Sequence, residues 1–193
     1  MHYRWKIATV LLAALAAAAV AESAHHPPGN PASPAANQGA MKHGSHSPMP
    51  GLESLSGEEF EVAFMSMMIA HHESAVAMAD WVLERGDDPD VMAAAQAVKD
   101  AQGPEIEQMT SWLREWYDSA VDVTWADMMT ADMSGMLDTM EEGTDPNLAF
   151  LAAMIQHHQG AIDMAQVALE SAEHQQLRDM ARDIILTQVE EVH

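Results

Sequence analysis

Apolar positions recur at helical spacing along most of the chain, and they divide it into helices with readable ends. Ser56 with Glu59 three residues on has the form of a capping box, and Glu58 and Glu59 suit the positive end of a helix. From there Phe64, Met65, Met68, His71, His72, Ala75, Met78, Ala79, Val82 and Leu83 fall on one face at 100° per residue. The pattern runs to Glu84-Arg85, and Gly86 stands where a terminating residue belongs. Asp88-Pro89 predicts the start of a second helix, with Asp as cap and Pro in the first turn. Its inner face carries Val91, Ala95, Val98, Gln102, Glu105, Ile106, Met109, Leu113 and Trp116, with Gly103-Pro104 predicting a kink. Asp145-Pro146 starts a third long helix that reaches about Ser171. A turn near Glu173 leads to a last helix with Leu177, Met180, Ala181, Ile184, Gln188, Glu191 and Val192 inward.

The pattern occurs twice. Residues 64–107 align without gaps on 150–193 at a constant offset of 86 (157 − 71), with 13 identities in 44 positions. Phe64, Met68, Ile69, His71, His72, Ala75, Met78 and Ala79 return as Phe150, Met154, Ile155, His157, His158, Ala161, Met164 and Ala165. Self-similarity of this kind marks a repeated supersecondary unit. The expected fold class is all-α: a four-helix bundle of two duplicated antiparallel hairpins. The body spans 56–193, with repeat 1 at 56–117, a connector at 118–143 and repeat 2 at 144–193. The connector reads as a short crossover helix starting in a capping box at Thr124–Asp127. Its Met129, Met133, Met136 and Met140 form a seam at spacings of 4, 3 and 4, which suits either packing or metal contact.

The hairpins place polar groups on the apolar stripe. Taking the first loop at Asp87, His72 lies 15 residues before it and Gln102 lies 15 after; His158 and Gln188 stand alike about Glu173. Four imidazoles, two carboxamides and the carboxylates of Glu105 and Glu191 are therefore expected in one layer, with Met68, Met78, Met154 and Met164 near it. Mutual hydrogen bonding would satisfy some of these groups. Metal binding explains more of them, because imidazole suits borderline and soft ions, thioether selects Cu(I), and carboxylates orient the far ring nitrogen. His72 and His158 are the favoured ligands over His71 and His157.

Composition narrows the chemistry. The chain of 193 residues has no Cys and 17 Met, so a soft metal would be held by thioether and imidazole rather than by thiolate. Formal charge is −22, which argues against nucleic-acid binding and suits an acidic surface that attracts cations. Residues 1–21 read as a signal peptide: Arg4 and Lys6, then an apolar run to Val20, then Ala19-Val20-Ala21 as a small-x-small cleavage site. Cleavage after Ala21 predicts a periplasmic or secreted protein without a membrane anchor. Residues 22–55 are rich in Pro and predict a disordered tail. Its Met41, His43, His46 and Met49 form a possible auxiliary metal tract.

The motif itself is familiar. Phe64, Met68, Ile69, His71, His72, Ala75, Met78 and Ala79, then Gln102, Glu105, Ile106, Met109, Trp112 and Leu113, resemble the domain-of-unknown-function family 305, which is ferritin-like in fold. The second copy supplies Phe150 to Ala165, Gln188 and Glu191, but ends before a Met-x-x-Trp-Leu counterpart. The tandem form with a Met/His tail resembles periplasmic copper-binding proteins. What the resemblance implies is copper binding and copper resistance outside the cytoplasm, without catalysis. Expected partners are metal ions and a copper-transfer protein; the oligomeric state is open. The alternative is a ferritin-like di-metal oxidase using the histidines with Glu105 and Glu191. It is disfavoured because neither Glu has a His three residues on.

Overall fold

The computed structural model describes residues 51–192. The segment expected to be a signal peptide, His193 and the tail tract of Met41, His43, His46 and Met49 lie outside the described residues. A 3-10 turn at Leu52–Ser54 precedes five helices: α1 (Gly57–Arg85), α2 (Pro89–Tyr117), α3 (Val123–Glu142), α4 (Pro146–Ser171) and α5 (Gln175–Val192). Helix α2 packs on α1 and α5 on α4, the two expected hairpins; α1 packs on α4, and α3 lies against both of them. No helix among the described residues is long and apolar enough to cross a membrane.

Two of the four expected starts hold as written. Asp88 Oδ1 accepts from the amides of Asp90 and Val91, and Asp145 Oδ1 accepts from those of Asn147 and Leu148. The other two differ. Ser56 makes no side-chain capping bond. Gly57 takes a positive φ of 58° there, a backbone turn that glycine tolerates, and the capping-box geometry is not made. Helix α3 is capped by Asp122, not Thr124: Asp122 Oδ1 accepts from the amides of Thr124 and Trp125. An Asp two residues upstream takes the amides first. Asp122→Ala should cost about 1 kcal/mol of stability, read as a lower urea midpoint.

At the end of α1 glycine serves close approach rather than a left-handed turn. Gly86 is extended rather than left-handed, and a Cβ there would lie 2.6 Å from Asn147 Oδ1. Its role is close approach: the α1–α2 loop meets the start of α4, where Asn147 Oδ1 accepts from the Asp88 amide. Helix α2 is instead the one that ends left-handed, at Asp118 with φ 49°. It stays one helix through Pro104, which has no amide to donate to the Asp100 carbonyl.

The connector is not short. Helix α3 has 20 residues against 18 in α5. Its Met seam is packing surface: Met129, Met133 and Met140 are buried in the core, Met136 partly so. Its start is tied down where the Asp122 amide donates to Ser66 Oγ at 2.9 Å. With α2, α3 and α4 all on it, α1 is buried from Ala63 to His72 without interruption. The repeat-equivalent stretch of α4 is not. Met65 and Ile69 are 0% and 2% exposed, but their counterparts Leu151 and Ile155 are 37% and 50% exposed. Helix α2 has 29 residues, so its Met109 and Leu113 reach the core that holds Met65 and Ile69.

Candidate metal centre

The site lies where α1 crosses α4. Both helices carry their His-His pair on the mutually buried face, and His71, His72, His157 and His158 are each 1% exposed or less. His71 and His157 meet ring to ring, with centroids 3.7 Å apart. They occupy the pseudo-twofold axis between the repeats. His72 and His158 diverge from it, each toward the second helix of its own hairpin. His72 Nε2 lies 2.8 Å from Glu105 Oε2, and His158 Nε2 lies 2.7 Å from Glu191 Oε2. The 15-residue symmetry about the loops pairs His72 with Gln102 and His158 with Gln188, but the rings meet Glu105 and Glu191, three residues farther along, and the carboxamides stay unpaired. The predicted layer of imidazoles and carboxylates is thus present.

The thioethers bracket this layer. Met68 and Met164 belong to the core on the side of Phe60 and Phe64, and Met78 and Met154 to the core on the side of Val82 and Phe150. Equivalent methionines of the two repeats therefore fall on opposite sides, as antiparallel α1 and α4 require. All four are buried.

What sets the layer apart is its unmet polar capacity. Both ring nitrogens of His71, and Nδ1 of His72, His157 and His158, are buried without a hydrogen-bond partner. So are both amide atoms of Gln102 and of Gln188. A buried polar atom left unpaired costs on the order of 1–3 kcal/mol, so such a concentration asks for a ligand. Burial holds the His71 and His157 imidazoles neutral. His71 is kept well below the usual histidine range by burial first, then by repulsion from His157, His72 and His158. His157 is pushed down to about 3 by burial, then by His158 and His72. Neutral imidazole is the ligating form. Among the described residues no group of three or more His, Asp or Glu side chains is drawn together as a metal cluster. The donors that fit here are imidazole nitrogen and thioether sulfur, a set suited to a soft ion.

The family 305 model (Domain of unknown function, DUF305) matches residues 9–113 and again 61–193. The chain belongs to the DUF305 family. No curated protein matches it. Among solved structures, the chain is similar to CopM in the Cu(II)-bound form, at 29% identity and a TM-score of 0.61, over 68% of this chain and 90% of that one. CopM in the Cu(I)-bound form matches at 26% identity and 0.58, over 68% and 89%. A putative secreted DUF305 protein from Streptomyces coelicolor matches at 26% identity and 0.55, over 68% and 86%. The helical fold is therefore shared with these solved structures.

Three residues of consequence carried no sequence signal of their own. Ser74 Oγ lies 3.2 Å from His157 Nε2. Gly160, its equivalent in the second repeat, faces His71: a Cβ there would lie 3.3 Å from His71 Nε2. The repeat alignment contains this mismatch, but nothing in a sequence marks it among the many others. The third is Glu61, fully buried at the far end of α1. Its Oε1 accepts from the amides of Glu173 and His174 at 2.6 and 2.7 Å. Its Oε2 meets the Tyr117 hydroxyl and His174 Nδ1. The His174 ring stacks on Trp116 at 3.9 Å. One carboxylate thus joins the start of α1, the end of α2 and the α4–α5 loop.

Proposed function

We propose that this DUF305 protein is an exported copper-binding protein. It holds Cu(I), or its mimic Ag(I), through the bundle's histidines and methionines, for buffering, storage or resistance. The observation that carries the reading is the layer of buried imidazoles with unpartnered nitrogens, bracketed by Met68, Met78, Met154 and Met164. Similarity to CopM, solved in Cu(I)-, Cu(II)- and Ag-bound forms, supports copper as the cargo. The secreted DUF305 relative supports a place outside the cytoplasm. Glu105 and Glu191 act by orienting His72 and His158 rather than by ligating, and a copper-transfer protein is the expected delivery partner.

Calorimetric titration with Cu(I) under reducing conditions tests this. Replacing His71, His72, His157 and His158 together by Ala should remove tight binding from the bundle. Unchanged affinity in that variant would take the core site out of the reading. The protein takes no catalytic part in this reading. Oxygen consumption with ferrous iron would instead support a di-metal oxidase.

A further inference from the structure

One imidazole outside the buried layer has a fixed ring and an open nitrogen. His174 Nδ1 lies 2.6 Å from Glu61 Oε2. Glu61 takes two amides on Oε1 and the Tyr117 hydroxyl on Oε2. These bonds outweigh burial and keep its carboxyl below the ordinary value. An ionised carboxylate only accepts, so His174 Nδ1 carries a proton and donates. The lone pair of the neutral ring then sits on Nε2. The ring plane is fixed as well: it stacks on Trp116 with centroids 3.9 Å apart and planes 4° apart, and Trp116 stacks on Trp112. The side chain is 36% exposed, and among the described residues no group pairs with Nε2, which reaches solvent. Tying the loop to α1 does not require this ring. At the equivalent junction (174 − 86 = 88 and 61 + 86 = 147) the Asp88 amide donates to Asn147 Oδ1, and Asp stands where the imidazole would be.

We propose that His174 Nε2 is a second metal-binding site, a surface ligand that receives a soft or borderline cation and passes it to the buried layer. The inference rests on the copper reading above. A carboxylate on one ring nitrogen and an open lone pair on the other is the arrangement that orients an imidazole toward a metal. Glu105 and Glu191 hold one nitrogen of His72 and of His158 in the same way. Negative charge gathers at this end of the bundle. The Tyr117 hydroxyl is pushed up by burial, then by Glu61, Glu58 and Glu173, so the last two carboxylates also stand close by and draw a cation here. One imidazole holds an ion weakly, its other positions being filled by water or by the ligands it arrives with. Weak holding suits exchange rather than storage. The ion trades one such ligand for Nε2 and later trades Nε2 for an inner donor, with no change of oxidation state. Along α1, Met65 and Met68 lie between Glu61 and His71, over about 15 Å of helix, and both are buried. Glu61 is the positioning residue of this site, and His174 is its ligand.

The test is Ag(I) titration of the full chain, followed by nitrogen-resolved NMR of the histidine rings. In the metal-free protein, the neutral His174 ring should show its proton on Nδ1. Ag(I) should move the His174 Nε2 signal continuously from the first additions, the mark of a weak and fast-exchanging site. The rate at which the four layer histidines load is then measured by stopped-flow mixing. An Nε2-methylated histidine at position 174 keeps the Nδ1 proton and the stack on Trp116 but has no lone pair to offer. With it the layer should load about tenfold more slowly, at unchanged equilibrium affinity. His174→Asn keeps an N–H for Glu61 and should slow loading alike. A neutral-ring proton on Nε2, a His174 signal indifferent to Ag(I), or an unchanged loading rate in the methylated protein overturns the proposal while the copper reading stands. If none of the four layer histidines responds to Ag(I), the copper reading fails and takes this inference with it.

Discussion

Glu61→Ala should lower the free energy of unfolding by about 3–5 kcal/mol, the range for removing one member of a buried, fully bonded charged group. The substitution strands the amides of Glu173 and His174, the Tyr117 hydroxyl and His174 Nδ1 at once. Glu61 stands in for a capping side chain at the start of α5, where the His174 carbonyl already accepts from the Leu177 and Arg178 amides. Its carboxyl also shows the balance of forces. Burial pushes the group up, but the bonds from Tyr117, His174 and Glu173 outweigh burial and leave it below the ordinary carboxyl value. Tyr117 is raised by burial and by the same carboxylate. Glu61→Gln keeps one acceptor oxygen for the two amides and should lose roughly half as much. Urea titration of the three proteins decides the matter. An unaltered midpoint for Glu61→Ala would show that the hairpins are held together at this end by apolar packing alone.

The second large effect is on acid stability of the metal-free protein. His71 and His157 are held neutral in the fold, while in the unfolded chain they protonate near 6.5. Between pH 6.5 and about 3 the unfolded state therefore binds more protons than the native state. Stability falls as pH falls through that window, by up to about 1.4 kcal/mol per pH unit for each histidine. Glu61 behaves differently. Its lowered carboxyl contributes stability above about 4.5, lost only as pH drops below that value toward its native one. The urea midpoint should consequently begin to decline near pH 6.5, before carboxylates titrate. His157→Gln should flatten the decline. A midpoint constant from pH 7 down to pH 5 would mean that these rings are hydrated or paired in solution.

Much of the fold follows from local pattern. The Asp-Pro starts of α2 and α4 are complete within three residues, and the amphipathic stripe of α1 contains every one of its buried histidines. The offset of 86 converts one hairpin into two and brings the His-His pairs to one level, because antiparallel helices joined by short loops leave little freedom of register. The stripe nonetheless understated α1. Ser66, Met67 and Ala70 lie off its predicted face and are buried. Helix α3 covers α1 from a second side, and no periodicity in α1 encodes a neighbour that arrives later in the chain. Glu61 was hidden for a similar reason. Beside Glu58 and Glu59 it reads as part of a solvated acidic helix start, and only Tyr117 at the end of α2 and the α4–α5 loop, more than a hundred residues on, give its carboxylate a use. The start of α3 was misplaced because Thr124–Asp127 has capping-box form, whereas the Asp122 carboxylate two residues upstream takes the amides of Thr124 and Trp125.

Helix α1 is the trunk on which the other elements hang, whereas its duplicate α4 leaves Leu148, Leu151 and Ile155 open on one side. Two copies of one ancestral unit have thereby acquired different freedom to vary. A polar replacement at Leu151 should be nearly silent, while the same change at Met65 removes a fully enclosed side chain from the centre of the body. Drift should accordingly accumulate faster in the second copy than in the first, and an engineer seeking a place to attach a label or a new surface would start from α4.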